Sequence, residues 1–207
     1  MSAEEFWEER YGDEERVWSG RPNPLLVREV APLSPGSALD LGCGEGGDAI
    51  WLAARGWRVT AVDVSATALR RGADHAREAG VAEAIRWERH DLSRSFPEGA
   101  FDLVSAQFLH SPVAAEGERE AILRRAAAAV APGGVLLVAG HAGWPSWQEV
   151  PPFEHHFPTT GEVLGALELE PRRWVVELEE VVERELPDPD GRPGHRTDNV
   201  LRVRRLA

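Results

Sequence analysis

Between residues 37 and 55 a short apolar run, Ser37-Ala-Leu-Asp-Leu41, gives way to a glycine-rich loop, Gly42-Cys-Gly-Glu-Gly-Gly47, and then to a segment of helical periodicity, Asp48–Arg55. No other feature restricts the fold as much. Glycines at these spacings let the backbone turn through positive φ and approach a ligand or a neighbouring chain closely. A strand, such a loop and a helix, in that order, open a parallel βαβ unit, because parallel neighbours need a long crossover.

The rest of the chain continues the alternation. Arg58–Val64 reads as a second strand, and Ser65 caps a helix running to about Ala79, with Gly80 as its stop. Ile85–Glu88, Phe101–Ala106 and Val135–Ala139 read as further strands. The last two flank an alanine-rich helix, from about Glu116 to Val130, that Pro132-Gly133-Gly134 should stop. Strands alternating with helices imply a mostly parallel sheet with helices on both faces, an α/β, Rossmann-like architecture. The tail differs: Trp174–Leu186 and Val200–Leu206 are two strand candidates joined by a turn-rich stretch with no helix, so the sheet should finish with an antiparallel hairpin. At 207 residues with no linker, the chain reads as one domain: an N-terminal helical lid (1–33), a cofactor-binding core (34–140), then a substrate cap and hairpin (141–207).

Composition narrows the function classes. A net charge of −12 repels a phosphate backbone, so nucleic acid is not expected as a partner. Arg202, Arg204 and Arg205 form the densest basic cluster, and alternation along a strand suggests a solvated outer face. All 23 basic residues are arginine, which excludes Schiff-base lysine chemistry and the lysine-bearing P-loop. No apolar run approaches the ~18 residues of a membrane span. The acidic first residues do not resemble a secretory signal and there is one cysteine, so the expected location is cytoplasmic.

Gly42, Gly44 and Gly47 satisfy G-x-G-x-x-G, and Asp63 lies 21 residues beyond Gly42 at the end of the second strand. That pattern serves a dinucleotide or S-adenosylmethionine equally. Charge separates them: Asp40, Glu45 and Asp48 surround the loop, disfavouring a pyrophosphate and suiting a cationic sulfonium and ammonium. Asp63 could accept ribose hydroxyls in charge-assisted hydrogen bonds worth roughly 1.5–3 kcal/mol. Asp91, in His90-Asp-Leu-Ser93, could accept from an adenine amino group or simply hold a turn. Cys43 reads as a small packed residue rather than a nucleophile.

The stretches LDLGCGEGGDAIWLA (39–53), VTAVDVS (59–65), HDLS (90–93), FDLVSAQFLH (101–110) and LRRAAAAVAPGGVLLVAG (123–140) resemble, in this order and spacing, the class I S-adenosylmethionine-dependent methyltransferases. The N-terminal FWEERYGDEERVWSGRPNP and the short C-terminal half are similar to their tellurite-resistance and thiopurine type. The resemblance implies a seven-stranded sheet with an antiparallel last strand, S-adenosyl-L-methionine as cofactor and S-adenosylhomocysteine as product. It implies that Asp40, Gly42, Gly44 and Gly46 hold the methionyl part, Asp63 and Val64 the ribose region, Asp91 and Leu92 the adenine, and that Ala106 and Gln107 border the amino group and reacting methyl. Ser105-Ala-Gln-Phe108 stands where methylases of DNA bases carry a D/N-P-P-aromatic tetrad, which speaks against DNA bases, and the tellurite-resistance and thiopurine resemblance implies a small-molecule acceptor. His195-Arg-Thr-Asp198 is similar to a His-Arg pair of the tellurite-resistance enzymes, but follows the Pro-Gly turn rather than preceding it.

In-line methyl transfer depends on alignment in a dry site, which can supply roughly 7–11 kcal/mol. An acceptor hydroxyl benefits from a base, and histidine is the best candidate. His110 and His141 follow the fourth and fifth strands, on the edge where open α/β sheets bind ligands. His155 and His156 lie in the loop 144–158 with Trp144, Trp147, Phe153 and Phe157, a possible substrate cap; no metal site is expected there. Near the N-terminus Tyr11 and Trp18 suit an aromatic lid over the cofactor, while Phe6 and Trp7 suit anchoring of an amphipathic helix. An NAD(P)-dependent oxidoreductase and a catalytically inactive cofactor-binding protein are the competing readings.

Overall fold

A computed structural model of the protein describes residues 1–14, 16–150 and 155–207. Its centre is a seven-stranded sheet of order β3-β2-β1-β4-β5-β7-β6. The strands are β1 Ser37–Leu41, β2 Arg58–Asp63, β3 Ile85–Arg89, β4 Phe101–Gln107, β5 Val130–His141, β6 Trp174–Glu185 and β7 His195–Arg205. The first five pair in parallel; β7 runs antiparallel between β5 and β6. The helices are α1 Ala3–Asp13, α2 Pro24–Val30, α3 Gly47–Ala54, α4 Ala66–Glu78, α5 Glu118–Ala128 and α6 Thr160–Ala166. This is the Rossmann-like, seven-stranded architecture expected, with an antiparallel C-terminal hairpin. Among the described residues no helix is long and apolar enough to cross a membrane.

Alternation along the strands sends side chains to two cores. Ala38, Val135, Leu137 and Val200 pack on one face with Leu26, Val30, Ala49 and Leu52 of α2 and α3. Leu39, Leu136, Val138 and Leu201 pack on the other with Leu123 and Ala126 of α5 and Val163 of α6. A strand covered on both faces must be apolar throughout, which is why VLLVA was legible.

Three elements differ from the sequence reading. Pro132-Gly133-Gly134 lies within β5 and does not separate helix from strand: Val130 already pairs with Phe101, and a bulge precedes the next pair, Leu103 with Val135. The second hairpin strand begins at His195, not Val200, because β5 offers a partner as far as His141, which pairs with Asp198. The C-terminal arginines are not a free solvated face. Arg202 reaches Glu29 at 2.7 Å and Glu177 at 3.0 Å, and Arg204 also meets Glu177, so carboxylates offset the cluster.

The loop geometry follows from β1 ending beside β2. Gly42 and Cys43 both donate their N–H to the carbonyl of Val62, folding the chain back over the sheet edge. Gly46 caps α3 at φ +86, and a Cβ on it would lie 2.6 Å from Cη2 of Trp87. Its role is thus a left-handed turn and close packing of α3 on the Trp87 ring. Gly46→Ala is expected to lower the unfolding free energy by about 2 kcal/mol or more, combining strain and overpacking. Urea denaturation measures this, and an unchanged midpoint would show that the ring simply yields.

Candidate functional site

The C-terminal ends of β1, β2 and β4 border a cavity of about 620 Å³. An open α/β sheet creates a crevice there because its strand order reverses between β1 and β4. Asp40, Gly42, Gly44, Asp63, Val64, Asp91, Leu92, Gln107, His110, His141 and Trp18 all line it. Gly46 and Ala106 do not: Gly46 turns toward Trp87, and Ala106 is fully buried in the core beside Val104 and Leu136.

At one end the cavity is lined by carboxylates. Asp63 accepts the N–H of Gly44 at 2.9 Å with Oδ2 and that of Ser65 at 3.0 Å with Oδ1. Ser65 in turn caps α4 through Ala68. Burial raises the pKa of Asp63 despite these bonds. Asp40 is 2% exposed, and its Oδ2 has no hydrogen-bond partner. Burial first, then the charges of Asp48 and Asp63, push its carboxyl well above the usual range. Burial and the same acids, Asp63 foremost, push the Cys43 thiol well up, so no thiolate nucleophile is available there. Asp91 spends Oδ1 on Ser93, taking its N–H at 3.1 Å and its hydroxyl at 2.6 Å, and shapes the turn that brings Leu92 to the wall.

Glu45 and Asp48 serve otherwise than their sequence position suggests. Glu45 Oε2 accepts the N–H groups of Val17 and Trp18, while Oε1 pairs with Arg71 at 3.0 Å. Asp48 accepts from Asn23 twice, at 2.6 Å from N–H and 2.8 Å from Nδ2. Both acids therefore bind the N-terminal strap across the loop. The strap places Tyr11 and Trp18 over Gly44, with Trp18 Nε1 donating to the Tyr11 hydroxyl at 2.8 Å. A Cβ on Gly44 would lie 2.9 Å from that hydroxyl. Tyr11 is buried and Trp18 is 51% exposed; Trp7 also reaches the cavity, whereas Phe6 stacks edge-on against Trp7.

Histidines and arginines gather at the opposite end. Phe108 at the end of β4 adopts φ +52, a strained conformation for an aromatic residue, and sets its ring 4.5 Å from that of His141. His141 Nδ1 and Asp198 Oδ1 are 2.8 Å apart. Burial would raise Asp198, but hydrogen bonds from His141 and Arg184 outweigh it and hold the carboxylate ionised. His141 is lowered by burial, with the Asp198 bond opposing that shift. His110, with ring centroid 5.8 Å from that of His141, is pushed to about 4 by burial and then by the charges of His141, Arg119, His155 and Arg196.

Sequence reasoning missed Asp198, Arg184 and Arg119 as parts of this end. Asp198 is 57 residues from His141, and no local signal links them. In the cap loop, Trp144, His155 and Phe157 form a ring cluster, and His156 pairs with Glu162; none of the loop's described residues lines the cavity. Phe153 lies outside the described residues.

Compared with known proteins, residues 38–134 match the family described as "Methyltransferase domain". The chain is 37% identical over 101 residues to the ubiquinone biosynthesis O-methyltransferase of Caulobacter sp. (strain K31), covering 49% of this chain and 39% of that one. It is 32% identical over 136 residues to the 2-heptyl-1-hydroxyquinolin-4(1H)-one methyltransferase of Mycobacteroides abscessus, covering 62% and 58%. The matches thus span less than two thirds of either relative's length. In structure, the chain resembles the N-methyltransferase NodS of Bradyrhizobium japonicum WM9, solved with S-adenosyl-L-homocysteine, with TM-score 0.69, 18% identity and full coverage of both chains. That likeness shows the fold.

The Glu45 clasp is open to a direct measurement. Glu45→Ala removes the acceptor of two backbone N–H groups and the partner of Arg71. Hydrogen exchange at Val17 and Trp18 is expected to accelerate at least about tenfold, the equivalent of ~1.4 kcal/mol of local opening. Unchanged protection there would mean that the strap is held by something other than Glu45.

Proposed function

We propose, from the match of residues 38–134 to a methyltransferase domain, that this chain is a class I S-adenosylmethionine-dependent methyltransferase that transfers a methyl group to a small-molecule acceptor. The observation that carries this reading is the lone oxygen of Asp40. A buried carboxylate oxygen without a donor is costly, and a ligand ammonium seated beside the glycine loop would satisfy it. A pyrophosphate there would meet Asp40, Asp48 and Asp63 with like charge, which disfavours a nicotinamide dinucleotide. Asp63, fixed by Gly44 and Ser65, retains lone pairs on both oxygens for ribose hydroxyls. Leu92 and Val64 would flank the adenine, and Asp91 would stand at its edge. Trp18 and Tyr11 would cover the cofactor and exclude water.

When bound, the cofactor supplies an electrophilic methyl on a sulfonium. This chain's residues align the acceptor and, for a hydroxyl, remove its proton. His141 suits that role better than His110: the hydrogen bond to Asp198 fixes its Nδ1 as donor and leaves Nε2 to accept. A histidine titrating near 4 is a weak base at neutral pH. Two of the relatives the chain matches are named for small organic molecules, ubiquinone biosynthesis and a hydroxyquinolone, which supports an acceptor of that size. A whole-cavity length lined by aromatic and apolar groups beside the charged ones is also typical of small-ligand sites.

Calorimetric titration with S-adenosylhomocysteine tests the assignment. Micromolar binding is expected, weakened at least about tenfold (~1.4 kcal/mol) by Asp63→Ala and by Asp40→Asn. Absence of heat with the wild-type protein would sink the reading.

The pH dependence has a defined sign. Because the folded pKa of Asp40 is raised, its stabilising contribution in ligand-free protein is complete below the unfolded value of ~3.9 and is lost as pH rises through the folded value. A bound cation prefers the carboxylate. Affinity should therefore fall as pH drops below the raised value, with proton release on binding. Titration in buffers of different ionisation enthalpy measures that release, and Asp40→Asn should abolish it.

A further inference from the structure

The cavity is electrically divided. In a chain of net charge −12, the end beyond Gln107 gathers His110, His141, Arg119 and Arg184. Two acids lie near them. Both oxygens of Asp198 are held by His141 and Arg184. Glu118, which also lines the cavity, accepts the N–H of Ala115 at 3.2 Å and so serves the turn before α5.

Arg119 is different. Its Nε donates to the carbonyl of Leu109 at 2.9 Å, which fixes the guanidinium against the end of β4. Its Nη2 lies 3.6 Å from where a Cβ on Gly140 would stand, beside the start of the His141 wall. No carboxylate pairs with it among the described residues; burial disfavours its charge, and only Glu120, its chain neighbour, counters that electrostatically. A half-buried guanidinium with free N–H donors, facing a cavity, is a site for a planar oxyanion. Apolar Leu109, Ile122 and Leu186 line the same cavity.

We infer that Arg119 binds an anionic group of the methyl acceptor, and that the acceptor is a small organic carboxylate with an apolar body. This deepens the methyltransferase reading and rests on it for the acceptor's role. Charge then sorts the two ligands: the cationic cofactor goes to the acids at the glycine loop, and the anionic acceptor to the arginine end. His141 would lie on the acceptor's side of the reacting atoms.

The test uses 4-hydroxybenzoate and its neutral counterpart, 4-hydroxybenzyl alcohol, titrated calorimetrically into the full chain with and without S-adenosylhomocysteine. The benzoate should bind at least about tenfold tighter than the alcohol. Arg119→Gln, which keeps a donor for Leu109 but removes the charge, should erase that preference while leaving Tm and S-adenosylhomocysteine affinity unchanged. Arg119→Lys should keep most of the preference. Equal binding of the two probes, binding of neither, or a preference that survives Arg119→Gln would each overturn the inference. A protein that prefers the benzoate through Arg119 but ignores S-adenosylhomocysteine would keep the anion site and lose the cofactor assignment.

Discussion

The carboxylate of Asp63 sits where two βα units meet, and its two oxygens hold one backbone N–H from each. Through Gly44 it fixes the glycine loop that follows β1; through Ser65 it fixes the cap of α4 that follows β2. A charged acceptor is worth more than a neutral one in such bonds, so one side chain aligns both loops at the sheet edge. The cavity opens beside these loops, where the strand order reverses between β1 and β4. Burial makes the arrangement electrostatically tense, since Asp40 and Asp48 lie close by with raised pKa values of their own.

That tension is divided in a way that gives the site its polarity. Asp48 is satisfied by Asn23, and Glu45 by Val17, Trp18 and Arg71, so both carry structural load for the N-terminal strap. Asp40, unlike those two, keeps a buried oxygen without a hydrogen-bond partner. At the far end Asp198 neutralises part of a cationic cluster and orients His141, while Arg119 keeps free donors. Acidic groups and cationic groups are thereby collected on different walls of one cavity.

Much of the frame was legible in the sequence because it depends on short-range rules. Apolar runs marked the strands, Ser65 and Gly80 marked the ends of α4, and Asp63 stood at the strand end where such a carboxylate is useful. Some local signals were present but overlooked: Thr159-x-x-Glu162 is a capping box, and it opens α6. The bulge in β5 was not readable from Pro132-Gly133-Gly134, because proline and glycine mark both a helix stop and an irregular strand. The acids of the loop misled in detail, since a carboxylate near a ligand loop in sequence has the same appearance whether it faces a ligand or a strap.

The sequence by itself determined the α/β frame, the glycine loop and the end-of-strand residues Asp40, Asp63 and Gln107, because hydrophobic period and backbone freedom are properties of neighbouring residues. Only the tertiary structure decided which acids were free, which histidine had a partner, and where charge of each sign collected. Glu45 with Val17, His141 with Asp198, and Arg119 with Leu109 are brought together by the crossing of distant elements. Hydrogen bonds and desolvation act over a few ångströms of space, and no pattern along the chain records that distance.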